Sequence, residues 1–151
     1  AQIQIPMFPV PMTLQTFAVL LVAATLGASR ASISMATYLA MGAAGLPVFA
    51  SAKTLSGVLP TTGYLIGFVA AAAIIGYLAN RGWTKNPLKL ALAFALGSVV
   101  IYALGVSGLM ITLGLTLDQA LAGGVYPFLI GDLVKAVAAA ALVPAAWKLL
   151  K

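Results

Sequence analysis

Asp132 and Lys135, in the run Ile130-Gly131-Asp132-Leu133-Val134-Lys135, hold most of the chemical capacity of this chain. They stand three residues apart, so on a helix they share a face. One supplies an acceptor-only carboxylate, the other an ammonium with donors alone. Such a pair can bind a group that donates and accepts at once, for instance an amide or a ureido group. The surrounding residues, Tyr126 to Ala146, are apolar enough for a membrane interior. An ionisable pair there is costly and points to a functional site. The plainer reading is an internal ion pair that neutralises itself.

Little else in the chain can do chemistry. Its 151 residues include two acids, no His and no Cys. Thiol catalysis, disulfides and Cys-ligated metal are therefore excluded, and the commonest general base and metal ligand is missing. There is no Gly-x-x-x-x-Gly-Lys-Ser/Thr phosphate loop. The chain reads as a non-enzyme that needs no metal and no cofactor. Three further residues are binding candidates. Gln15 opens the first apolar span, where its amide either enters a pocket or bonds to backbone. Thr62 and Tyr64 follow Pro60 at the start of a later span, and Tyr64 either meets a ligand or belongs to the aromatic belt. Tyr38, Tyr77, Tyr102, Trp83 and Trp147 read as belt or packing residues. Asp118 reads as an acid that favours a helix N-terminus.

The elements that must position these residues follow from composition. With 63% hydrophobic and 7% charged residues, the chain suits membrane lipid as its solvent and not water. Leu-, Ala- and Gly-rich runs without sustained alternation predict helices rather than a barrel. One domain, 1–151, is expected to hold spans at roughly 13–28, 32–44, 61–80, 87–105 and 127–149. Pro6, Pro9 and Pro11 keep the first twelve residues extended or turned. Thr13 is the expected cap of the first span, and Arg30 lies in the connection to the second. Gly45 and Pro47 end the second span, and Pro87 opens the fourth. Thr116 to Gln119 resembles a capping box, and Pro144 is expected to kink the last span. Gly63, Gly67 and Ala71 form one small-residue face, Ala72 and Gly76 another. No cleavable signal peptide is recognisable, and a start at Ala1 reads as a fragment of a longer protein.

The net charge of +6 does not indicate nucleic acid, because the cations are spread between apolar runs. They read as topology signals. Arg30, Arg81, Lys85, Lys89, Lys148 and Lys151 fall on one side of the five spans, and Lys53 with Asp118 on the other. The positive-inside rule then makes the C-terminus cytoplasmic. It places Asp132 and Lys135 toward the outer face, in an outward-opening pocket.

Four motifs occur in order: Val10-Pro11-Met12-Thr13-Leu14-Gln15-Thr16-Phe17, Gly45-Leu46-Pro47-Val48-Phe49, Pro60-Thr61-Thr62-Gly63-Tyr64-Leu65, and Pro127 through Gly131-Asp132 to Lys135. Together they resemble the biotin-specific substrate-binding subunits of energy-coupling factor (ECF) vitamin transporters, the BioY family. The resemblance implies an all-α, six-helix S-component bundle whose first helix is absent or truncated in this chain. It implies biotin capture at the outer face of a bacterial cytoplasmic membrane, with Asp132 and Lys135 in the vitamin site. The implied partners are a transmembrane coupling subunit and two ATPase subunits, and a homo-oligomer is left open. The chain departs from the family pattern at Thr62, which replaces a Gly, and in its reduced Gly-rich loop, Ser51 to Gly57. Two alternatives remain: an S-component for a different vitamin, and a membrane scaffold in which the charged pair only packs.

Overall fold

The computed structural model describes residues 1–55 and 59–149, with side chains through Val143. The Pro-rich start folds into a small antiparallel hairpin, β1 (Gln4–Ile5) and β2 (Met12–Thr13), with Gln4 opposite Thr13. Five α-helices follow: α1 (Gln15–Ala43), α2 (Thr62–Asn80), α3 (Pro87–Leu113), the short α4 (Leu117–Gly124) and α5 (Tyr126–Leu149). Three of them, α2, α3 and α5, contain unbroken stretches long and apolar enough to cross a membrane, and α1 is as apolar over its length but is interrupted at Gly27.

α1 is folded on itself. Gly27 has φ 75° and ψ 176°, which no helix contains. A continuous helix from Gln15 to Tyr38 would separate them by about 34 Å, yet Gln15 Nε2 donates to Tyr38 Oη at 2.8 Å. The chain therefore reverses at Gly27, three residues before the expected connection at Arg30, which is itself helical. Glycine is required there by its left-handed φ, and the Asn80 side-chain amide packs in the space a Cβ would take. Thr13 also departs from expectation: it belongs to β2, although its Oγ1 still accepts from Gln15 N–H at 3.1 Å. α3 continues past Gly105 to Leu113 and stops at Gly114, φ 64°.

Other local signals act as expected. Asn86 caps α3 by accepting from the Leu88 and Lys89 amides, with Pro87 in the first turn. Thr116 and Gln119 form the reciprocal capping box of α4. The expected kink at Pro144, the side chains of Lys148 and Lys151, and residues Ser56 to Val58 lie outside the described residues.

α2 is the central helix, and its small residues decide what it touches. Added Cβ atoms on Gly63 and Gly67 would meet Leu104 O at 2.2 Å and Ile101 Cα at 2.9 Å, so this face lies backbone-close on α3. One on Gly76 would meet Ala28 N at 2.5 Å, so the other face lies on α1. The reversal at Gly27 beside Asn80 and the α2–α3 connection put Arg30, Arg81, Lys85 and Lys89 at one end of the bundle. The hairpin, Lys53 and Asp118 lie at the other end. Around the girdle, large apolar side chains such as Leu92, Val99, Val134 and Val137 point outward. That is stable against lipid tails and would be a liability in water.

Gly76→Leu is expected to lower stability by about 1–3 kcal/mol through overpacking against Ala28. Leu92→Ala, on the outer face, should change the melting temperature little. Thermal unfolding of both variants in detergent checks the difference.

Candidate functional site

β2 and the four long helices α1, α2, α3 and α5 all contribute to one pocket at the hairpin end. Its floor and walls come from Tyr64, Leu65 and Phe68 of α2, Ile101 and Tyr102 of α3, and Phe128, Asp132 and Lys135 of α5. Its rim comes from the Pro9 to Pro11 turn, from Phe49, Ala50 and Lys53, and from Leu59 to Thr61. Together they frame about 830 Å³ of space free of protein atoms, which includes open solvent at the mouth.

Asp132 and Lys135 face inward, while Leu133, Val134 and Val137 on the same helix face out. Both side chains are 12% exposed, with Lys135 Nζ 2.8 Å from Asp132 Oδ1. The pair is held by more than itself. Lys135 Nζ also donates to Thr13 O at 2.8 Å and to Thr16 Oγ1 at 3.2 Å. These three acceptors match the three protons of an ammonium. Asp132 Oδ1 additionally accepts from Thr16 Oγ1 at 3.2 Å, and Oδ2 accepts from Tyr102 Oη at 2.5 Å. The carboxylate thus keeps an open lone-pair direction that the ammonium lacks.

The sequence candidates fare differently. Gln15 lines the pocket, with its amide donating to Tyr38 and its Oε1 accepting from Thr13 Oγ1 at 3.1 Å. Tyr38 in turn donates to Val48 O at 3.0 Å, and its ring meets Phe49 edge-on at 5.2 Å. Tyr64 is buried rather than in an aromatic belt: its ring lines the pocket and its hydroxyl donates to Gly124 O at 2.7 Å. Thr62 does not line the pocket. Its Oγ1 accepts from Leu59 N–H at 3.0 Å, which ties down the loop before α2, and Thr61 takes the lining position.

Sequence reasoning missed Thr16, Tyr102 and Tyr38, the last two having been assigned to belt or packing. A signal for Tyr102 was present. It is the sixteenth residue of a 27-residue helix, too deep for an interfacial ring. Thr16 stands three residues after Thr13, in the first turn of α1, and that spacing alone carries no comparable signal.

Comparisons with known proteins bear on the family and on the fold. The model of the BioY family matches residues 1–151. A biotin transporter BioY of Thermotoga maritima is 43% identical, over 93% of this chain and 82% of its own length. A biotin transporter BioY of Rhizobium etli is 34% identical, over 93% and 79%. Among solved structures, the S-component for biotin from an ECF-type ABC transporter superposes with a TM-score of 0.86 at 25% identity, over 97% of this chain and 80% of that one.

Removing one member of the pair leaves the other buried and uncompensated. Lys135→Met is expected to cost about 3–5 kcal/mol of stability. Asp132→Asn combined with Lys135→Met should cost clearly less than the two single changes added together. A double-mutant cycle of thermal melts in detergent measures that coupling.

Proposed function

This chain belongs to the BioY family, and we propose that it is a multi-pass membrane subunit that takes up biotin through the pocket between the hairpin and α5. One observation carries the reading. A largely buried carboxylate with an unused acceptor direction stands in the wall of a mostly apolar pocket. Biotin presents ureido N–H donors beside an apolar fused ring, and that is the complement of such a wall. Asp132 accepts from the ureido N–H. Lys135 and Thr16 hold the carboxylate in place, and Tyr102 fixes its other oxygen. Tyr64, Phe68, Ile101 and Phe128 take the apolar rings. Gln15 orders the rim through Tyr38, and Thr62 acts on the loop rather than on the ligand.

The chain does no catalysis in this reading. Movement of the bound vitamin to the cytoplasm is driven by an ECF transmembrane coupling subunit with two ATPase subunits. The positive-inside rule sets the orientation: the basic end and the C-terminus are cytoplasmic, and the pocket opens outward. The six-helix S-component bundle belongs to the same reading. The described residues hold five helices, and the solved S-component is longer than the part this chain covers.

Isothermal titration of the purified protein is expected to show biotin binding at micromolar ligand or below. Asp132→Asn should weaken it by about 10- to 100-fold, the value of a hydrogen bond to a charged group. Preferred binding of thiamine or riboflavin would reassign the vitamin, and absence of all three would favour a scaffold role.

A further inference from the structure

The polar groups of the pocket are divided between its buried wall and its exposed rim. The wall holds Asp132 and Lys135, each 12% exposed. The rim holds Lys53, an exposed residue of the loop between α1 and α2. Among the described residues, these two lysines are the only cations that line the pocket.

They are not equivalent. The three protons of Lys135 are already directed at Asp132, Thr13 and Thr16. A ligand anion brought to Lys135 would displace one of these acceptors and would stand beside the Asp132 carboxylate, which repels it. Lys53 has no such occupation. The chain has only two acidic side chains, Asp118 and Asp132. Among the described residues the single ion pair is Asp132–Lys135, and no hydrogen bond from the Lys53 ammonium is formed. The loop holds Lys53 at the rim by specific contacts. Phe49 N–H donates to Lys53 O at 3.1 Å, and Gln2 and Gln4 of the hairpin segment donate to Phe49 O and Ser51 Oγ at 3.1 and 2.8 Å. Phe49 itself is buried against Gly42.

We infer that Lys53 is the carboxylate-binding residue of the pocket and sets the ligand's orientation, acid end at the rim and hydrogen-bond-donating end at Asp132. The inference rests on the biotin reading above, because it assigns the second polar end of that ligand. It makes the site selective for a molecule with an N–H donor head and a chain ending in an anion. An amide or ester at the chain end loses the charge pairing with Lys53 while keeping the Asp132 contact.

The test compares biotin with biotinamide, which differs only at the chain end, on the purified full chain. Isothermal titration at low ionic strength is expected to give wild-type protein a preference for biotin of about three- to tenfold, the range for a partly exposed charge pair. Lys53→Ala should abolish the preference and Lys53→Arg should keep it. The preference should also shrink as salt is raised. A preference unchanged in Lys53→Ala, or no preference in wild type, overturns the inference while leaving the biotin reading intact. Failure of wild type to bind either compound overturns both. Lys53 is exposed, so loss of folding does not confuse the comparison.

Discussion

The cost of holding a charged pair in an apolar environment is the constraint on which the rest of this structure depends. Attraction between Asp132 and Lys135 alone does not repay their desolvation. The remaining protons and lone pairs need partners with good geometry, and those partners come from elements remote in sequence. Thr13 contributes a backbone carbonyl from the end of the hairpin, Thr16 a hydroxyl from the first turn of α1, and Tyr102 a hydroxyl from the middle of α3. The hairpin, α1 and α3 are thereby tied to α5 by polar contacts in a fold whose other contacts are mostly apolar. Hydrogen bonds of this kind are directional. They locate the pocket wall more narrowly than dispersion between Ala and Leu side chains could.

The irregular hairpin has a structural reason in the same network. A carbonyl inside a helix is taken by its own ladder. Thr13 lies just before α1, where its carbonyl is available to an ammonium. Pro6, Pro9 and Pro11 keep the segment from becoming a helix and so preserve that acceptor. Gln2 and Gln4 then carry the order outward to the loop that contains Lys53.

Much of this could be read from the amino-acid sequence, and the failures have identifiable causes. The pair at 132 and 135 was legible because charge in an apolar run is rare and expensive. The small-residue faces of α2 were legible because spacing decides which residues share a face. The reversal at Gly27 was misplaced at Arg30, because a charge suggests a connection whereas the break needs a left-handed backbone that only the packed structure reveals. Thr62 was expected in the pocket because a hydroxyl next to Pro60 has two possible targets. The local target, the Leu59 amide, lies closer at hand. Tyr102 and Thr16 were overlooked because each acts on Asp132 from another helix, over separations of 30 and 116 residues. Propensity and periodicity describe neighbours along the chain and are silent about such pairs.

The reversal at Gly27 also bears on the surrounding bilayer. The two limbs of α1, residues 15–26 and 28–43, reach only about 18 and 24 Å at 1.5 Å per residue. The 27 residues of α3 reach about 40 Å on the same basis, and a hydrocarbon core is about 30 Å thick. The apolar girdle is consequently uneven, short beside α1 and tall beside α3. Lipid must thin on one flank and the long helix must tilt on the other, each at a fraction of a kcal/mol per Å of mismatch. The acyl-chain length of the host membrane therefore acts as a mechanical load on two of the helices that line the pocket.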